Sequence, residues 1–145
     1  MRHPCKRIAA SALLSMTILL MNCSKSEAPP PAQVEPEAIS RTEFTNRVEN
    51  YFEYEPLRSG KASQVRIHLT DLSDGSPVEK ANVTLVIRPK GSAGTMIETI
   101  SRVGKVTGIY VAELNIPKPG DYDIEFHIKN EKLDERMPLS NFKVE

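Results

Sequence analysis

The stretch Gly120-Asp121-Tyr122-Asp123-Ile124-Glu125-Phe126-His127-Ile128-Lys129 decides the fold. From Tyr122 onward its apolar residues fall at every second position, with charged or polar residues between them. Successive side chains of a strand point to opposite faces, so this alternation predicts a strand with one face buried and one wet. The same period recurs upstream. Val65, Ile67 and Leu69 alternate with Arg66, His68 and Thr70, and Val83, Leu85 and Ile87 alternate with Thr84 and Arg88. Val86 breaks the second pattern. Weaker strands are predicted over Val48–Tyr54, Thr95–Ile100, Gly108–Ile116 and Leu139–Val144, while Ile39–Val48 can carry a turn or two of helix.

Turn-forming residues separate these runs: Pro56, Gly60, Asp74-Gly75, Pro89 to Gly94, Pro117 to Gly120, and Asn130. About seven short strands at such spacing predict an all-β fold, a single Ig-like antiparallel β-sandwich. Tyr122 opens its strand just after Gly120, and this placement resembles the tyrosine corner of immunoglobulin-like sandwiches. Both residues are therefore read as structural. The chain has no Trp and only two cysteines, Cys5 and Cys23, so the antibody-type core disulfide with its packed Trp is excluded.

The amino terminus is organised differently. Arg2, Lys6 and Arg7 precede an apolar run from Ile8 to Met21, and Cys23 follows directly. The run is short for a membrane span, which takes about 20 apolar residues. A basic start and a short apolar stretch match a signal peptide. Leu20-Met21-Asn22-Cys23 then reads as a relaxed lipobox, with Asn22 larger than the usual small residue. The expectation is a bacterial lipoprotein: residues 1–22 a signal peptide, Cys23 the lipidated mature N-terminus, 23–43 a tether and 44–145 the sandwich domain. The tether carries Pro29-Pro30-Pro31 and Pro36 and few apolar residues, a composition that stays extended and disordered. Localisation would be the cell envelope, at the outer membrane or the periplasmic face of the inner one.

Charge and chemistry narrow the classes further. The formal charge of zero includes the signal; without Arg2, Lys6 and Arg7 the chain has 16 basic and 19 acidic side chains. Both signs are interspersed, so there is no footprint for nucleic acid. No nucleophile elbow, zinc-protease helix or phosphate-cradling loop is present, and Gly91-Ser92-Ala93-Gly94 lacks the following Lys-Ser/Thr of a P-loop. A non-enzymatic protein without a cofactor is expected. With the signal gone and Cys23 acylated, no thiol remains for a metal. His68 and His127 fall on the polar phase of strands expected in opposite sheets, and Met96 is isolated. A metal site built from these three is the weaker alternative. Asp71-Leu72-Ser73-Asp74-Gly75 lacks the ligand spacing of an EF-hand and reads as a turn.

From Phe44 onward the chain resembles a known domain. Phe44-Thr45, Arg47, Glu49, Phe52-Glu53-Tyr54, Pro56-Leu57 and Gly60 are similar to the opening of the N-terminal Ig-like domain in periplasmic adaptor (membrane fusion) subunits of heavy-metal RND efflux pumps. So are His68-Leu69-Thr70-Asp71-Leu72 with Pro77-Val78, and Gly108-Ile109-Tyr110 with Pro117 and Gly120-Asp121-Tyr122. A looser resemblance is to YtkA-like and FixH-like domains. Much of it is punctuation, Pro77 included, and it implies the fold first. It also implies an envelope binding or accessory module with a protein partner, including efflux components. The chain ends at Glu145 without the adaptors' helical hairpin, lipoyl domain and barrel, so transport itself is not expected to carry over. A metallochaperone lipoprotein and a structural or surface-interaction lipoprotein are the alternatives.

Overall fold

The computed structural model describes residues 37–91 and 96–145. Nine strands follow one another: β1 (Ile39–Phe44), β2 (Val48–Tyr54), β3 (Ala62–Asp71), β4 (Asn82–Pro89), β5 (Ile97–Ile100), β6 (Arg102–Val103), β7 (Ile109–Asn115), β8 (Gly120–Lys129) and β9 (Asp134–Val144). They form two antiparallel sheets, ordered β1-β2-β3-β7-β6 and β5-β4-β8-β9. The all-β sandwich read from the alternation is the fold.

Two expectations change. The segment from Ile39 is not helical; all six residues of β1 pair with β2, from Ile39 opposite Tyr54 to Phe44 opposite Glu49. Thr45 makes the turn. Its backbone N–H donates to the Val48 carbonyl at 2.9 Å, and its Oγ1 accepts from the N–H groups of Arg47 and Val48 at 3.1 and 3.0 Å. A threonine that caps a tight reversal favours a hairpin over a helix start. The sandwich therefore begins at Ile39, and residues 39–43, expected in the tether, are strand. Among the described residues the strands number nine, β1 and the two-residue β6 adding to the seven of the pattern. The signal peptide, Cys23 and the tether up to Pro36 lie outside the described residues.

The buried phase of each strand supplies the core. Phe52 on β2 meets Phe126 on β8 with ring centroids 4.9 Å apart and lies 6.3 Å from Phe142 on β9. Ile67, Leu69, Leu85, Ile87, Leu114, Ile124 and Ile128 fill the space around them. On one side of the sandwich, between the edge strands β1 and β9, Arg41 spans the gap. Its guanidinium lies over the Phe142 ring at 4.8 Å, donates to Glu43 Oε1 and reaches the Ser140 carbonyl at 3.1 Å. The aliphatic stem covers apolar surface while the head keeps its polar partners.

Two tyrosine hydroxyls hold loops to this frame. Tyr122 donates to the Lys118 carbonyl, four residues upstream, at 2.9 Å. Tyr110, 1% exposed on β7, donates to the Val78 carbonyl at 2.8 Å and accepts from the Ala81 N–H at 3.0 Å. The second pair is buried deeper and occupies two backbone groups. Truncation of a hydroxyl leaves its buried partners unpaired, at about 1–3 kcal/mol each. Tyr122→Phe should therefore cost about 1–3 kcal/mol and Tyr110→Phe more, about 2–4 kcal/mol. Chemical denaturation of both variants checks the order; equal midpoints for Tyr110→Phe and the unaltered protein would remove the hydroxyl from any structural role.

Candidate functional site

One end of the sandwich carries an open cleft of about 450 Å³, between the β3–β4 loop and the β8–β9 turn. Asp71, Asp74, Lys80, Asn130 and Lys132 are among the residues around it, with Val78 and Leu133 beneath. The first wall is a self-bonded loop. Asp71 Oδ1 accepts from the Ser73 N–H and hydroxyl at 2.9 and 2.6 Å, and Asp74 Oδ1 accepts from the Ser76 N–H at 2.9 Å. The second wall is a turn in which Asn130 Oδ1 accepts from the N–H groups of Lys132 and Leu133, both at 2.8 Å. Asn130 Nδ2 then donates across the cleft to the Glu79 carbonyl at 2.9 Å. Arg47 makes a second tie, donating to the Lys132 carbonyl at 3.1 Å and facing Asp71 Oδ2 at 3.7 Å. The walls are thus fixed to each other by two side chains.

The two aspartates of the loop are held in their ionised form. Hydrogen bonds from Ser73 hold the Asp71 carboxyl below its ordinary pKa, and those from Ser76 do the same for Asp74. A useful general acid or base sits near the operating pH. These two carboxylates stay ionised and committed to their own turns. Glu79, Lys80, Glu131 and Lys132 put both charge signs on the rim.

The loop is held down from behind by residues of two separate phrases of sequence. Thr70 bridges to Pro77, Leu69 donates to the Gly108 carbonyl at 2.9 Å, and Val78 donates to the Leu69 carbonyl at 2.9 Å. Gly108 has φ +78, and a Cβ there would meet the Pro77 Cβ at 2.6 Å. Pro77 therefore acts by packing on Gly108, and Tyr110 lies two residues further on. Tyr110 stands in the sequence only as part of the phrase Gly108-Ile109-Tyr110, with no role of its own assigned. The signal was present, since a Tyr on the apolar phase of a strand needs a buried hydroxyl partner.

The residues weighed as metal ligands are dispersed. His68 lies on β3, with outward-facing neighbours Tyr51 and Ile109 in its row of the five-stranded sheet. Its ring meets Tyr51 edge-on at 5.3 Å, and its Nε2 is shielded with no hydrogen-bond partner among the described residues. His127 lies on β8 in the four-stranded sheet, so the core separates the two rings. Met96 precedes β5, four positions before Ile100, the residue level with Thr84 and His127. That offset is about 13 Å along a strand. No group of three or more His, Cys, Asp or Glu side chains suited to a metal occurs among the described residues. Gly120 opens β8 at φ +141, a backbone conformation that favours glycine, and a Cβ there would lie 3.9 Å from the Tyr122 ring.

His127 has a different occupation. Its Nε2 lies 2.8 Å from Asp134 Oδ1, and Lys129 Nζ donates to Asp134 Oδ2 at 2.8 Å. Asp134 is lowered from 3.8 to about 2, first by the Lys129 hydrogen bond and then by that of His127. A carboxyl with a depressed folded pKa stabilises the fold above its unfolded value and loses that contribution as pH falls to the folded one.

Residues 44–127 match the family model described as YtkA-like. The matched span runs from the end of β1 into β8 and contains the loop, Gly108 and Tyr110. Neither the curated proteins nor the solved structures include a match.

Two outcomes follow from this geometry. Gly108→Ala should cost about 2–4 kcal/mol, from left-handed strain plus overpacking against Pro77. Gly60→Ala, at φ +69 with nothing within 4 Å, should cost only about 1 kcal/mol. Denaturant midpoints of the pair separate steric contact from backbone strain; equal losses would reject the contact. Asp134→Asn should lower the thermal midpoint above about pH 4, with the difference closing as pH nears about 2. A difference that persists unchanged at pH 2 would show that the ion cluster is not its cause.

Proposed function

The chain belongs to the YtkA-like family, and from that premise we propose that it is a non-enzymatic, lipid-anchored envelope module that binds a protein partner as an accessory to efflux. The observation that carries the reading is the use made of its distinctive residues. Pro77, Gly108, Tyr110 and Tyr122 are spent on holding the fold, while the cleft offers ionised carboxylates and lysines and, among the described residues, no histidine or cysteine in its lining. Such a charged rim suits recognition of a complementary surface.

The order basic residues, apolar run, Cys23, proline-rich segment supports anchoring. Acylation at Cys23 would supply the multiple chains that stable attachment needs, since one alone binds only marginally. The proline-rich sequence behind Cys23 has the composition expected of a tether. The resemblance of the Phe44–Gly60 and His68–Val78 phrases to efflux adaptor domains supports a partner among envelope transport proteins.

Two measurements test this reading. Mass spectrometry of membrane-extracted protein should find a diacylated or triacylated Cys23 as the first residue; a different N-terminus or a free thiol rejects the anchor. Photo-crosslinking from positions 80 and 132 in intact cells should capture a pump, channel or other transport component of the envelope. Recovery of none above background rejects the accessory role.

A further inference from the structure

The exposed apolar side chains of this domain are not evenly spread. Ile100, Val103 and Val106 are 70%, 64% and 61% exposed and lie within seven consecutive positions, whereas Phe44 and Leu72 stand apart. This is the side where the chain leaves β5, the edge of the four-stranded sheet, and enters β6, the edge of the five-stranded one. The strip is firmly held. The Ser101 N–H donates to the Val83 carbonyl at 2.8 Å, the Gly104 N–H to the Ile109 carbonyl at 2.7 Å and the Ile109 N–H to the Val106 carbonyl at 3.1 Å. Arg102 and Lys105 are exposed between the three aliphatics. From Thr99 to Ala112 there is no acidic residue; Glu98, two positions before Ile100, is the nearest along the chain.

We propose that the strip from Ile100 to Val106 is a lipid-contact surface that lays the domain against an anionic bilayer. Interleaved aliphatic and cationic side chains fit the boundary between headgroups and acyl chains, where apolar burial and attraction to anionic lipid add. A protein partner's edge would instead ask for a longer strand than the two residues of β6. The contact is weak in isolation and gains from tethering, which raises the effective concentration into the millimolar range for a short linker. The proposal thus rests on the anchored reading above for its physiological weight, though the surface itself does not depend on acylation.

The test keeps the two apart. Residues 37–145 contain all nine strands and the whole core, and are held on vesicles by an N-terminal hexahistidine tag and a nickel-chelating lipid. A polarity-sensitive fluorophore is placed through Val106→Cys on the strip, or through Lys143→Cys on β9 at the far edge. With phosphatidylglycerol in the vesicle, the probe at 106 should shift to the blue and be quenched by a bilayer-buried nitroxide, while that at 143 should not. Arg102→Glu with Lys105→Glu should abolish the difference, and so should neutral phosphatidylcholine. Equal signals at the two positions, or a signal untouched by charge reversal, overturn the proposal. A blue shift that instead grows with protein density, with energy transfer between copies, assigns the strip to a second copy of the chain and overturns it equally. An unacylated Cys23 in cells would remove the anchor and leave this result unaffected.

Discussion

The buried hydroxyl of Tyr110 is the constraint on which the candidate site depends. The β3–β4 connection must turn back over the end of the sandwich, and its backbone groups at Val78 and Ala81 enter a region without water. Backbone groups buried without partners cost as much as lost hydrogen bonds. One phenol supplies both an acceptor for the Ala81 N–H and a donor for the Val78 carbonyl. Gly108 lets β7 start close enough for this, because a Cβ there would collide with Pro77 and approach the Leu69 carbonyl at 3.2 Å. Val78 is thereby fixed beneath the cleft, and the turn from Asp71 to Ser76 follows from it.

This arrangement joins phrases that lie far apart in the sequence. Leu69, Pro77 and Val78 come from one phrase, Gly108 and Tyr110 from another, and the two meet at a single junction. Their spacing is dictated by the loop they close. A resemblance built on such residues speaks for the fold, which agrees with the family match over residues 44–127.

What was legible in the sequence tracks how local each cause was. The β8 strand and the outward phase of His68 and His127 follow from period-two alternation, which is a property of neighbouring residues. β1 does not show in the alternation because its inward positions near the edge are Arg41 and Glu43, a polar pair whose role is visible only with Phe52 and Phe142 beneath it. Val86 broke the alternation because it sits on the outer face yet is buried, in a row with Glu98 and Glu125. The cleft could not be read at all. Its walls come from residues 71–80 and 130–133, and the bond from Asn130 to Glu79 joins positions whose proximity only the completed sheets create.

The two open sides of the sandwich are finished in contrasting ways, and the contrast bears on how the domain meets its surroundings. Between β1 and β9 the gap is crossed by Arg41, whose charge is met by Glu43 and the Ser140 carbonyl while its face rests on aromatic rings. The charge of Arg41 is thus fully met there, although Ile39 and Phe44 on β1 remain exposed. On the other side a continuous chain passes from one sheet to the next through Ser101 and needs no cation to close it. Its side chains are released from closure, yet they are valine and isoleucine interleaved with Arg102 and Lys105. Aliphatic exposure in a strip so firmly hydrogen-bonded costs solvation without any gain in the fold itself. The side with no structural need for its residues is where an external surface has the most to offer them.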